Sequence, residues 1–564
     1  MKKISILFAL FVAIVAYAQE PFVGVWNAPR GQIVFATEGE FSYSYEKVGN
    51  PSIKGIGDGW PNRTELFVSP GKYKISIVPK NNNKFRFKDL NNFLEVQKWG
   101  SVKWADDLSG MFANCNELQI TADDTPDLSG VTSLSGLFSG CSSLETINGL
   151  NDWDVSNVQD MSYMFSGATH FNQDLFRWNM GNVKNVSYMF QEASTFNGDI
   201  HTWEFKNLEN MEYMFREAFA FNGDVSNWNV GTVTNMKGVF YRAKAFSGDV
   251  SNWNVSQAKN MEVMFYEALQ FNSDLSRWDV GNVTLMYAMF SKAPLFNSDL
   301  SNWNVSNVTG TWSMFQGATA FNSDISRWDV SKVTDMNNMF KEAEAFNQDI
   351  SQWDVSKVTN MGSMFESTKN FNKDISNWDV SSVQVLDFMF EDAKAFNQSL
   401  AGWKIKDKAH MTNFLKESGM DCENYSKTLK GWADNPNTGK EIHFYSTASY
   451  GDSAKPYRQK LIDEKDWKIY SDSYDSSCTA DLATETVAQR PQFFIIKPVK
   501  EELHIQGLDG IKSIEIYSAN GSLVKTLNAN QRGVSNLSKG VYILKINTQN
   551  ATYTDKIIKD QNLI

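Results

Sequence analysis

Four cysteines in 564 residues are too few for a fold built on disulfides. Basic residues are also short: 53 Lys and Arg face 65 Asp and Glu, for a formal charge of −12. A nucleic-acid partner needs clustered cations for counterion release, so none is expected. Histidine occurs five times, at His170, His201, His410, His443 and His504, with no metal-ligand spacing and no nucleophile–base pattern. No glycine-rich phosphate loop opens a helix. The chain is therefore read as non-enzymatic, with no catalytic, cofactor-binding or metal residues. A polysaccharide-degrading enzyme would need paired acids in a cleft, and no such pair is recognisable.

Long apolar runs are absent apart from one at the start. Met1-Lys2-Lys3 is followed by an apolar stretch from Ile4 to Val15 and by Ala16-Tyr17-Ala18 before Gln19. That is the pattern of a secretory signal peptide over 1–18. A membrane anchor is the weaker alternative, because the run falls short of the roughly 20 residues that a spanning helix needs. No cysteine follows the run, so lipid anchoring is not indicated. Cleavage removes two lysines and no acid, which leaves the exported chain more acidic still.

What the sequence does have is a beat. Tryptophan recurs every 25 residues from Trp153 to Trp403, with phenylalanine seven residues before most of them, from Phe171 to Phe396. A Met-Phe pair keeps the same time, starting at Met164-Phe165 and interrupted once by Val239. A fixed period of this length signals a solenoid or array. Within one unit, Trp353 and Val355 alternate as a short strand would. Met361, Met364, Phe365 and Thr368 fall at i, i+3, i+4 and i+7, the spacing of one helical face. A strand, a turn, a short helix and a return turn are thus expected per coil.

The flanks lack the beat. Residues 19–100 alternate apolar and polar residues, as in Phe41-Ser-Tyr-Ser-Tyr45, and read as a β-rich N-terminal cap. The repeats span 101–404 and are regular from 150; the first two are imperfect. Cys115 and Cys141 share one column there, either bridged or as buried free thiols, with the thiols preferred. Residues 405–478 read as an α/β C-terminal cap, with helices at Tyr425–Trp432 and Ala454–Ile462. Cys422 and Cys478 bracket it, and export permits a disulfide between them. A polar linker follows over 479–492, then a small β-sandwich over 493–564.

The units resemble the BspA-like surface-protein repeat, a divergent relative of leucine-rich repeats, on the run Phe346-Asn-Gln-Asp-Ile-Ser-Gln-Trp-Asp-Val-Ser-Lys-Val-Thr-Asn-Met361 and its copies. The resemblance implies an α/β, leucine-rich-repeat-like solenoid on or secreted from a bacterial surface, and carries over no catalytic residue. The last segment is similar to the C-terminal sorting domain of the type IX secretion system of Bacteroidota, through Lys497-Pro498-Val499, Ile514-Glu-Ile-Tyr-Ser-Ala-Asn-Gly521, Gly540-Val-Tyr-Ile-Leu544 and Lys556-Ile-Ile-Lys559. Its opening departs from the usual Pro-Asn-Pro-Val. That resemblance implies an export address and contact with the type IX machinery.

Three columns remain to be weighed. An aspartate recurs from Asp174 to Asp374, either capping a turn or lining a row of calcium sites; capping is preferred because the glycine-rich calcium-roll signature is missing. Asparagine recurs from Asn172 to Asn397 and reads as an internal amide ladder. Between the inward Met and Phe lie Tyr163, Tyr188, Tyr213, Tyr241, Tyr266, Tyr287 and Trp312. An outward row of aromatics suits stacking on sugars or anchoring a protein partner. The alternative is that these rings only pack on each other. The chain is thus expected to be a secreted or surface adhesion protein with protein or glycan partners, or else a structural spacer with no ligand.

Overall fold

The computed structural model describes residues 19–482 and most of 494–559. The expected leader, most of the expected linker, His504 and Lys497-Pro498 lie outside the described residues. Two compact units divide the chain after Val183.

In the first unit, alternating apolar residues build eight strands: β1 (Phe22–Ala28), β2 (Gln32–Glu38), β3 (Phe41–Lys47), β4 (Asn50–Gly59), β5 (Thr64–Phe67), β6 (Gly71–Pro79), β7 (Arg86–Asp89) and β8 (Phe93–Lys98). With β9 (Gln119–Ile120) they form a six-stranded sheet, in the order β4-β3-β6-β1-β8-β9, and a three-stranded sheet, β5-β2-β7. Trp26, Phe35, Phe41, Phe85, Phe87 and Phe93 are buried and meet edge-on or tilted at 4.6–6.1 Å. Such aromatic pairing adds to simple area burial. Beyond β8 the chain enters the first coils, which pair in parallel through Ile120↔Ile147, Asp107↔Ser133 and Ser133↔Asp160.

The second unit opens with coils joined by parallel bridges at one column, from Asn185↔Asn210 through Asn360↔Val385 to Val385↔His410. The helix expected at Met361–Thr368 is not there. Amides of Met361, Ser363, Phe365 and Ser367 donate to carbonyls of Val385, Asp387, Met389 and Glu391 in the next coil at 2.8–2.9 Å. The intervening amides of Met364, Glu366 and Thr368 close four-residue turns within the coil. Ser363 and Ser367 take φ of 55° and 56°, the left-handed conformation that the third position of a type II turn requires. Nor is Trp353–Val355 a strand. The coils are chains of turns, and the molecule is mainly β-rich rather than α/β.

The inward residues nevertheless match the pattern. Met361, Met364, Phe365, Thr368, Phe371 and Trp353 are buried. Phe365 stacks on Phe371 at 4.1 Å and on Phe390 of the next coil at 5.6 Å.

Past the coils, β10 (His410–Leu415), β11 (His443–Ser446) and β13 (Lys468–Tyr470) form a parallel sheet, with β12 (Ser449–Tyr450) and β14 (Ser473–Tyr474) paired beside it. Helices α1 (Cys422–Asp434) and α2 (Lys455–Lys465) provide the crossovers. Asp421 caps α1, accepting the Asn424 amide at 2.8 Å. Cys422 and Cys478 are bridged, with Cα atoms 6.2 Å apart. The last strands are β15 (Phe494–Ile495), β16 (Ile505–Gln506), β17 (Ile511–Ser518), β18 (Leu523–Asn528), β19 (Gly540–Thr548) and β20 (Thr552–Lys559). A four-stranded sheet, β18-β17-β19-β20, and the β15-β16 pair share one core that includes Val499, Ile514, Ile516, Leu544 and Ile557.

Candidate binding surface

The turn-rich run of each coil sets which side chains can face water. Its amides alternate between the next coil and the local turn, so the residues at left-handed positions point away from the core. Tyr188 and Tyr213 stand there with φ of 58° and 51°. Tyr163 stands at the same place in the first unit and is 42% exposed.

In the second unit the outward aromatics come together coil by coil. Tyr188 and Tyr213 are 5.4 Å apart, Tyr213 and Tyr241 6.0 Å, and Tyr241 lies flat on Tyr266 at 4.8 Å. Tyr287 and Trp312 make a second stack at 5.6 Å, and Trp312 is 41% exposed. The shift of column from Tyr213 to Tyr241 has a steric cause. A Cβ at Gly238 would sit 2.2 Å from the Tyr213 ring, so that ring occupies the outward place in the next coil. Gly310 seats Tyr287 in the same way.

Charge is woven through these rings. The Arg216 guanidinium lies 5.7 Å from the ring centres of both Tyr213 and Tyr241, within cation–π range. One column alternates in sign along successive coils: Arg242 meets Glu217 at 3.1 Å and Glu267 at 2.9 Å, and Glu267 meets Lys292 at 3.3 Å. Burial pushes the Tyr213 and Tyr241 hydroxyls above their ordinary pKa. The track is thus a half-buried aromatic and ionic relief. Sequence reading missed the ion-pair column, although its signal, Glu-Arg-Glu-Lys at 25-residue spacing, was present. It also missed Phe219, exposed with its ring 6.0 Å from the Arg242 guanidinium, and the exposed Leu295.

The other columns are structural. Asp224, Asp249, Asp274, Asp299, Asp324, Asp349 and Asp374 each accept the amide of the residue two further on, at 2.8–3.0 Å. That is the Asx turn. Among the described residues no group of three or more His, Cys, Asp or Glu is placed to hold a metal. The asparagines do form a ladder: the amide N–H of Asn297, Asn322, Asn347, Asn372 and Asn397 donates to the preceding asparagine's Oδ1 at 2.8–3.1 Å. It runs along exposed and half-buried residues, however, and not through the interior as expected. Cys115 and Cys141 are buried free thiols; burial pushes Cys115 up to about 12 and Cys141 higher still.

The repeats match a family model described as "Mycoplasma protein of unknown function, DUF285", over residues 106–228, 211–328 and 312–432. Together these cover more than half of the chain. The chain belongs to this family. Outside the DUF285 repeats, residues 497–560 match the secretion system C-terminal sorting domain. That domain addresses the protein to type IX secretion and to the outer cell surface. No curated protein matches the chain. Among the described residues no helix is long and apolar enough to cross a membrane.

Proposed function

We propose that the DUF285 coils form a leucine-rich-repeat-like solenoid of the BspA-like kind, exported to the cell surface, whose outward track binds protein or glycan partners without catalysis. The observation that carries this reading is the Tyr213–Arg216–Tyr241 stack with its neighbours Tyr188 and Tyr266. Core columns repeat from coil to coil, whereas this relief changes along the array, from the Tyr188–Tyr213 column to the Tyr241–Tyr266 column and then to Tyr287 and Trp312, as a recognition surface must. Rigid aromatics beside arginine are the chemistry of binding hot spots. Many weak contacts along the coils would add by avidity.

The exported protein would be tested on arrays of glycans and surface proteins. Saturable binding that is lost on replacing Tyr188, Tyr213 and Tyr266 by serine supports the reading. Binding that is unchanged by those replacements removes the track from it.

A structural spacer or surface-layer component is the second reading. It is favoured by the flat Tyr241–Tyr266 contact, in which the rings satisfy each other. Self-assembly without saturable binding would select it.

A further inference from the structure

The six-stranded sheet has two edges. One continues into the coils through β9 and Ile120↔Ile147. The other is β4, ten residues long, with no partner on its outer side among the described residues. An open edge of this length is a template for another strand.

The direction of its free groups follows from β3. Lys80 donates its amide to the Glu40 carbonyl at 2.8 Å and Val48 donates to Lys72 at 2.9 Å, so even-numbered residues of β3 bond to β6. Odd-numbered Phe41, Tyr43 and Tyr45 therefore bond to β4, where they stand opposite Gly59, Gly57 and Gly55. The amides and carbonyls of Lys54, Ile56 and Asp58 are left pointing outward. The three side chains share one face, and Ile56 is 87% exposed. On the other face, rings of Phe41, Tyr43 and Tyr45 lie over the glycines so closely that a Cβ would sit 2.0–2.7 Å away. This explains how so glycine-rich a strand stays formed.

Charges on an edge normally guard it against indiscriminate pairing. Here they are placed symmetrically about Ile56. A second β4 laid antiparallel with Ile56 opposite Ile56 puts Lys54 opposite Asp58 twice. All three of these pairs are of the kind that exchanges two backbone hydrogen bonds. Lys54 has no ion-pair partner within the described chain, whereas Asp58 holds Lys80 at 2.9 Å. We infer that β4 is a self-complementary edge through which two copies of this protein pair. The two-fold operation closes at a dimer, so this contact does not build a layer. It is independent of the aromatic track.

Sedimentation of the full exported chain over a concentration series tests the pairing. Wild type should self-associate. Lys54→Asp, at an exposed site, should weaken the dimer at least about tenfold by setting like charges opposite each other. Asp58→Lys should do the same. An equal mixture of the two variants should dimerise again, since each then meets opposite charges. A wild type that stays monomeric overturns the proposal. So does a dimer indifferent to both charge reversals, or a mixture that stays dissociated while both variants keep the wild-type circular dichroism.

Discussion

The indole N–H of Trp253 donates to the carbonyl of Val225 at 2.9 Å, reaching back into the preceding coil. Trp278, Trp303, Trp328, Trp353, Trp378 and Trp403 repeat the bond at 2.9–3.1 Å. Trp432 of α1 carries it on, donating to Leu400 at 3.0 Å. The ladder is therefore more than apolar filling: each of these rungs, from Trp253 on, pins two coils through a buried polar bond.

Trp228 provides a control, because its indole nitrogen is buried without a partner. Trp253→Phe keeps most of the ring volume but removes one of two bonds to the Val225 carbonyl, which keeps the Trp228 amide at 3.2 Å, at a cost of about 0.5–1.5 kcal/mol beyond the packing loss. Trp228→Phe loses no such bond and should cost less. Trp253→Ala should cost about 3–5 kcal/mol through lost burial and the cavity left behind. Urea unfolding of the three variants checks the order, which fails if the two phenylalanine variants are equally destabilised.

Val263 occupies the left-handed column with φ of 48°. A β-branched residue is a steric outlier there, whereas asparagine tolerates the region. The chain itself uses Asn338 and Asn413 at equivalent places. Val263→Asn should stabilise the protein by about 1 kcal/mol. A melting temperature that falls would contradict this.

The inward residues of the coil were legible in the sequence, and the backbone that carries them was not. Met361, Met364, Phe365 and Thr368 are buried at helical spacing, yet they sit on successive turns whose amides bond across coils. Periodicity reports which side chains point inward. It does not report where the N–H groups go, and a stack of turns can present the same face as a helix. The outward column was visible as tyrosines between the Met and Phe residues. The seating of Tyr213 over Gly238, and the ion pairs from Glu217 to Lys292, depend on neighbours 25 residues away. Separations of 14 and 47 residues, off the 25-residue beat, hid the buried network of the C-terminal α/β segment, where Arg458 grips Asp472 with two bonds at 2.7 and 2.8 Å and Tyr425 donates to it at 2.9 Å.

Backbone amide bonds from Ser226, Ser251 and Ser276 hold the carboxyls of Asp224, Asp249 and Asp274 below their ordinary pKa. The unfolded chain then binds more protons over that interval, so stability rises with pH through it. The contribution is complete above the ordinary carboxylate value of about 3.9 and is lost as the pH falls below it. Replacing the three by asparagine keeps an oxygen that can accept the amide but removes the titration. The variant should match wild type at neutral pH and lose less stability between about pH 4 and pH 2. Because these carboxylates already accept amides, chelation with EDTA should leave the wild-type melting temperature unchanged. A fall on chelation would revive calcium binding by this column.

Cys422 opens α1 and Cys478 lies beyond β14, so the bridge encloses both helices and the strands between them, at a sequence separation of 56. Gly451 makes room for it, since a Cβ there would meet the Cys478 sulfur at 2.9 Å. Removing the bridge with Cys422→Ser and Cys478→Ser frees a long loop in the unfolded chain, worth about 3–4 kcal/mol. The Arg458–Asp472 pair and Lys465, which donates to the carbonyls of Asn435, Pro436 and Thr438 at 2.9–3.2 Å, remain in place. The segment should therefore still fold, but open more often. Stacked coils contact only their neighbours, so the loss should fade with distance along the array. Amide hydrogen exchange should show faster exchange across residues 410–478 and unchanged protection near Trp253. Protection lost equally at Trp253 would mean that the coils unfold as one cooperative block with the segment that ends them.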